Sequence, residues 1–297
     1  MINRTTLKPQ KAMHLHDDLA KKNPKSNNQV YMVTEKLDGW YGYLENDDTC
    51  VRSGANRHIP SMEVLSKEIL QLWRDNDVPE GRLIFEIYTE DVPFHIQNGE
   101  YNRKYEQHTE CKFMVHDFID STDQDEPEIA IVRREIAEYV VRKINHPRLK
   151  MIPILNAYAY TTDIKVEAKK VWNAGGEGTI GVARNSFYEF STGTPKRNAN
   201  IIKVKEELTL DLLCVGLQKG EGKYADTTGA LVVIDKNGVK NTISGMTDEQ
   251  RDCWYNDPTL VIGNVIEVKA MKRLKDGSLR EGRFKAIRYN KSKCDID

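Results

Sequence analysis

The chain has 297 residues, 39% hydrophobic and 30% charged, with 44 Lys+Arg against 45 Asp+Glu for a net charge of −1. That length can bury one large core or two smaller ones, and two domains is the better expectation. No apolar run approaches the ~18 residues that span a bilayer, the first residues hold no apolar signal core, and five scattered cysteines without a Cys-x-x-Cys pair argue against a zinc site or a disulfide framework. A soluble, cytoplasmic protein with no membrane partner is expected.

Val30–Glu35 alternates as a strand does, and Lys36 follows at its end. The chain then turns at Asp38-Gly39 and resumes a second alternating run, Trp40–Leu44. Asp-Gly between alternating runs is a hairpin signal that needs no function, and a Lys-x-Asp-Gly match arises by chance at roughly one position in 8,000. Met62, Leu65, Ile69, Leu72 and Trp73 recur at helical spacing, with Ser61 placed to cap. Strands are predicted over Arg82–Tyr88 and Cys111–Ile119, and the acidic segment Asp120–Glu128 reads as a turn in which Pro127 opens a helix. Ile129, Val132, Ile136, Val140 and Ile144 mark one face of that helix. Asp163 is placed to cap a further helix through Ile164, Ala168, Val171 and Trp172, which Gly175-Gly176 ends, and a strand follows over Gly178–Val182.

From Leu208 the texture changes to short strands with glycine turns: Leu210–Leu217, Ala230–Asp235, Val239–Ser244, Val261–Met271 and Phe284–Arg288, with one helix over Thr247–Tyr255. Five short strands and one helix suit a small barrel of the oligonucleotide-binding type. The boundary is therefore placed at residue 207, giving domains 1–207 and 208–297. Residues 269–293 carry ten basic side chains against Asp276 and Glu281, a local charge of +8. Most charge runs are solvated faces. Here the charges interleave with Val268, Met271, Leu274, Phe284 and Ile287, which reads as a basic strand surface facing phosphate or nucleic acid.

Seven short motifs then stand in an order that resembles the covalent nucleotidyltransferases, specifically small ATP-dependent DNA ligases of viral and phage type. Lys36-Leu37-Asp38-Gly39 is similar to the family's Lys-x-Asp-Gly-x-Arg, and Arg52-Ser53-Gly54, Glu86 within Ile84–Ile87, and Phe113–Phe118 follow in order. Glu177-Gly178-Thr179-Ile180, Lys203-Val204-Lys205 and Arg283–Lys291 complete the series. Three departures stand out: Tyr41 in place of the first motif's Arg, His116 in place of an aromatic, and Asn290 in place of an Asp.

The resemblance implies an α+β fold, a nucleotidyltransferase domain of ATP-grasp-like antiparallel sheets with helices followed by a C-terminal OB-fold β-barrel. It implies Lys36 as the nucleophile that becomes N6-AMP-lysine, with Asp38, Lys203 and Lys205 as its catalytic companions. A free lysine is neutral only about once in 2,500 at pH 7, and nearby cations would favour the neutral amine. ATP contacts are implied for Thr34, Glu35, Leu37, Tyr41, Arg52, Glu86, His116, Glu177, Arg288 and Lys291. A divalent metal, Mg²⁺ or Mn²⁺, would take oxygen ligands from Glu86 and Glu177, and Arg52, Lys272, Arg273, Lys275 and Arg283 would meet nicked duplex DNA. A monomer is expected. The rival readings are an RNA ligase or an mRNA-capping guanylyltransferase of the same superfamily, and a non-catalytic nucleic-acid-binding protein.

Overall fold

The structure, a computed structural model, describes residues 8–15, 28–120, 127–191, 197–274 and 276–297. It divides into two compact units, Met1–Val204 and Lys205–Asp297. The first holds β1 (Lys11–His14), β2 (Tyr31–Glu35), β3 (Trp40–Glu45), β4 (Arg52–Ser53), α1 (Glu63–Asp75), β5 (Gly81–Tyr88), α2 (Phe94–Tyr101), β6 (Lys112–Asp120) and α3 (Ala130–Ile144). Then come β7 (Leu149–Met151), β8 (Ile154–Ala159), α4 (Thr161–Asn173), β9 (Gly178–Ala183) and β10 (Arg197–Lys205). Among the described residues no helix is long and apolar enough to cross a membrane.

The strands form two five-stranded sheets, ordered β1-β10-β9-β2-β8 and β4-β3-β5-β6-β7. In the first, β2 pairs β8 and β9 antiparallel and β1 pairs β10 in parallel; the second is antiparallel except at the edge where β6 pairs β7 in parallel. The hairpin reading of Asp38-Gly39 is overturned, because β2 and β3 belong to different sheets. Each carries apolar residues suited to a separate core. Tyr31 and Val33 pack with Ile164, Ala168 and Ile202, whereas Leu44 packs with Phe85, Phe113, Ile69 and Trp73. A tight Asp-Gly hairpin needs positive φ at the glycine, and Gly39 has none. Its glycine has another cause: a Cβ there would stand 2.5 Å from the carbonyl oxygen of Ile87 on β5.

Two expected caps are placed differently. Ser61 does not cap α1; its hydroxyl donates to the Tyr101 carbonyl, 2.8 Å away, and the cap residue is Met62. Asp163 works from the third helical position, accepting the Tyr160 backbone N–H at 2.8 Å. Gly175, with φ +90, ends α4 as expected. In α3 the buried face includes Arg133 and Arg134 beside Ala137, Val140 and Ile144. The apolar face read through Val132 and Ile136 is therefore rotated.

The second unit holds β11 (Leu208–Lys219), β12 (Thr228–Ile234), β13 (Lys240–Ile243), α5 (Asp248–Asn256), β14 (Val265–Ala270), β15 (Lys272–Arg273), β16 (Leu279–Arg280) and β17 (Arg283–Ile287). Five of these strands form one sheet, β13-β12-β11-β14-β17. Its two edges meet at a single parallel bridge, Ser244 to Arg283, so the OB-like sheet curls round without a full closing ladder. The strand read over Val261–Met271 is shorter than expected. Val261 is fully buried in the core yet precedes a turn at Gly263, whose φ is +86. Trp254 of α5 packs edge-on against Phe284, ring centroids 5.2 Å apart.

Because Gly39 is fixed by its approach to β5, Gly39→Ala should destabilise the protein by about 1–3 kcal/mol. Urea unfolding should show a lower midpoint at unchanged slope; an unmoved midpoint would mean that β5 yields to the added methyl.

Candidate active site

A cleft of about 180 Å³ lies within the first unit, with walls from both sheets. Met32 and Thr34 of β2 face it with Ile180 and Val182 of β9 and Ile201 of β10; Tyr41 of β3, Glu86 of β5 and His116 of β6 stand on the other wall. The period of two explains the division, since Tyr31 and Val33 alternate with these residues and fill the core instead. Glu35, Lys36 and Leu37 enter the cleft where the chain crosses between sheets.

Lys36 is held at both ends. Its backbone N–H donates to the Gly178 carbonyl at 2.8 Å, and its Nζ donates to Glu177 Oε2 at 2.6 Å. The Glu177 side chain is 7% exposed and that of Lys36 22%, so the pair is screened from water without being sealed. Glu177 follows the glycine stop of α4, and its carbonyl accepts the Trp172 indole N–H at 3.1 Å.

Burial, with the negative charges of Glu177 and Asp38, pushes the Glu86 carboxyl up to about 7, against the opposing charge of Lys36. Burial pulls His116 down to about 4, helped by Arg134 and opposed by Asp117, so the imidazole is neutral at pH 7. Its ring lies 6.3 Å from that of Tyr41. Thr34, Glu35, Lys36, Leu37, Tyr41, Glu86, His116 and Glu177 are thus brought together. The fit for a metal lies in Glu86 and Glu177. Glu86 is raised partly by neighbouring carboxylates, a repulsion that a hard cation would relieve. Among the described residues no three His, Cys, Asp or Glu side chains are grouped to hold a metal unaided.

The cleft also holds residues the motifs did not single out. Arg133 reaches Asp117 with two parallel hydrogen bonds of 2.9 and 3.0 Å and donates to the carbonyls of Glu128 and Ser186. Arg134 donates to the Ile152 carbonyl at 2.7 Å. Tyr188 lines the cleft, and burial pushes its hydroxyl up to about 12. The available signal was two arginines inside an apolar helical face, where an unpaired charge would be costly.

Other expected residues lie elsewhere. Arg52 stands on the edge strand β4, paired with Asp48. Lys203 shares with Ile201 the face of β10 opposite the buried Ile202 and Val204. Lys205 opens the second unit, its Nζ 3.9 Å from Met271 Sδ.

Five of the ten cations read in 269–293 are paired with carboxylates. Lys269 pairs with Glu207 and Arg273 with Asp235, while Arg283 pairs with Glu281. Arg288 pairs with Glu267 at 2.6 Å and Lys291 with Asp211. Four of these five carboxylates lie outside the basic segment, where a local charge count does not see them. Lys272 lies on β15, and Lys275 lies outside the described residues.

Comparison with known proteins places this geometry. Residues 219–288 match the model of the DNA ligase OB-like domain, whereas no curated protein matches the sequence. A solved structure described as "Pmar-Lig_PreS3" aligns over 94% of this chain and 67% of its own, at 18% identity and TM-score 0.73. A structure of the Lig E DNA ligases aligns over 95% and 99%, at 18% identity and TM-score 0.69. The ATP-dependent DNA ligase of bacteriophage T7, complexed with ATP, aligns over 96% and 99%, at 17% identity and TM-score 0.57. The chain has the fold of the ATP-dependent DNA ligases, a nucleotidyltransferase unit followed by an OB-like unit.

Proposed function

We propose that this protein is an ATP-dependent DNA ligase that joins 5′-phosphate and 3′-hydroxyl ends at nicks in duplex DNA through lysyl-AMP and DNA-adenylate. The observation that carries the reading is Lys36 at the entrance of a two-walled cleft, hydrogen-bonded to Glu177 at 2.6 Å. Lys36 gives a proton to the Glu177 carboxylate it touches, and the neutral amine attacks the α-phosphorus of ATP, forming the N–P bond as the bond to pyrophosphate breaks. Glu177 fixes the direction of the amine, so the attack starts from a prepared geometry. The apolar side chains Met32, Ile180 and Val182 face the neutral His116 and suit a purine between them. Glu86, its carboxyl raised to about 7 chiefly by burial, would meet the ribose hydroxyls. Glu86 and Glu177 would hold a divalent cation, Mg²⁺ or Mn²⁺, which would supply charge neutralisation at the phosphates. In the second step an oxygen of the DNA 5′-phosphate displaces Lys36 from the adenylate. In the third the 3′-hydroxyl displaces AMP.

Lys36→Ala should take no label from ATP labelled at the α-phosphate and should lose nick joining, yet keep part of the sealing of a nick already carrying 5′-AMP. Label should come from ATP and not from GTP. A denatured Lys36→Ala chain that retains label would assign the nucleophile elsewhere, and labelling by GTP alone would point to capping chemistry.

His116 and Glu86 make opposite contributions to stability. The unfolded chain binds the His116 proton between about pH 4 and 6.5 while the folded chain does not, so this stability is complete above 6.5 and is lost as pH falls towards 4. Glu86 binds its proton in the folded state up to about pH 7, so its contribution is complete at low pH and is lost as pH rises through 7. His116→Phe removes one side of this balance. From pH 7 to pH 4 the variant should gain about 2–3 kcal/mol on the parent in urea unfolding, at 1.36 kcal/mol per unit. A pH-independent difference would mean that His116 is freely protonated in the fold.

A further inference from the structure

Residues 139–150 carry Arg142, Lys143, Arg148 and Lys150 and no carboxylate. The segment ends α3, turns at Asn145, whose φ is +47, and enters β7, the edge strand of the second sheet. Arg148 is engaged within the fold, paired with Glu110 and donating to the Glu110 carbonyl at 2.8 Å. Arg142, Lys143 and Lys150 are exposed. Among the described residues these three form no ion pair, and Glu138, one turn before Arg142, is taken by Arg134 at 2.8 Å. Arg142 and Lys143 gather instead over the Tyr139 ring, 5.8 and 5.6 Å from its centroid. The contrast with 269–293, where carboxylates hold five of the cations, is direct.

The sheet register places Lys150 with respect to the cleft. Tyr41 stands opposite Glu86, Glu86 opposite Met114 and Met114 opposite Lys150, one row across β3, β5, β6 and β7. Phe113 and Leu149 alternate with Met114 and Lys150 and fill the core. Lys150 therefore shares the face of Glu86, two strands away, about 10 Å at ~4.8 Å per strand. Arg142 and Lys143 end the helix whose Val140 and Ile144 cover the opposite, core face, so the three cations turn round the end of the sheet. The bend between them is held by His146, which lies 3.3 Å from Glu68 of α1 and accepts the Arg148 backbone N–H at 3.2 Å. A helix C-terminus favours cations on its own account, which explains Arg142 and Lys143 but not Lys150 on β7. Among the described residues of the segment only Tyr139, 37% exposed, is a large exposed hydrophobic, so there is little apolar area for a protein or a bilayer. Cations without apolar surface fit a run of regularly spaced anions, the backbone of a duplex, which is held by phosphate contacts.

We propose that Arg142, Lys143 and Lys150 form a basic band on the first unit that holds the phosphate backbone of duplex DNA beside the cleft. The proposal rests on the ligase reading only in naming DNA as the polyanion. Binding of a fluorescent nicked duplex with a dideoxy 3′ end is followed by anisotropy, without ATP, between about 50 and 200 mM salt. The triple variant Arg142→Ala, Lys143→Ala, Lys150→Ala should flatten the slope of log K against log salt by about 2–3, at −0.9 per phosphate contact, and weaken binding about tenfold at the lower salt. The charge-keeping variant Arg142→Lys, Lys143→Arg, Lys150→Arg should retain the slope, and lysyl-AMP formation should be unchanged in both. An unchanged slope in the alanine variant, in a protein that takes label from ATP, overturns the band and leaves the ligase reading standing. Equal flattening in the charge-keeping variant, or a matching loss of lysyl-AMP formation, would mark damage to the fold and also overturn it. Loss of binding to phosphatidylserine vesicles with the DNA slope intact would assign these cations to a membrane surface instead. A wild-type chain that takes no label from ATP, yet shows the expected flattening, removes the ligase reading and leaves the band standing.

Discussion

Lys36 and Glu177 meet because the chain leaves one sheet for the other between them and the cleft. β2 ends at Glu35 and pairs with β9, which begins immediately after Glu177. The backbone bond from Lys36 N–H to Gly178 carries the ladder one step further. The ion pair is therefore an extension of the sheet, and its geometry is as rigid as the β2–β9 pairing. A half-buried pair of this kind contributes little net stability, because desolvation offsets much of the attraction. Its value lies in direction, holding the amine at a fixed point of the cleft wall.

Burial shifts groups on the other wall towards their neutral forms. His116 is held uncharged, the Glu86 carboxyl is raised to about 7, and Tyr188 keeps its proton. The arginines behind them are paired: Arg133 with Asp117 and two carbonyls, Arg134 with Glu138 and the Ile152 carbonyl. The same economy of charge governs the second unit. Arg288 and Lys291 rest on Glu267 and Asp211, so a phosphate that draws on them must first displace a carboxylate.

Thr34–Leu37, Tyr41, Glu86, His116 and Glu177, which the fold brings together, could be named from the sequence because ordered short motifs resemble those of a known family. The OB-like strand pattern was legible because turns, alternation and glycines are local signals. A local rule also misled at Asp38-Gly39. A dipeptide signal does not know whether the two strands have better partners elsewhere, and both did.

Tertiary structure alone decided the electrostatics. Glu207, Asp211, Asp235 and Glu267 come from outside the basic segment and pair with four of its ten cations; charge pairing acts through space at a few ångströms, whereas a sequence count sums along the chain. Burial was decided in the same way. Nothing in the order of residues says that Arg133 and Arg134 are enclosed or that His116 is desolvated. The sequence by itself determined the residue types at the cleft and the two-part architecture. The fold determined which charges survive at its surface, because desolvation and Coulomb attraction depend on where neighbours stand after folding.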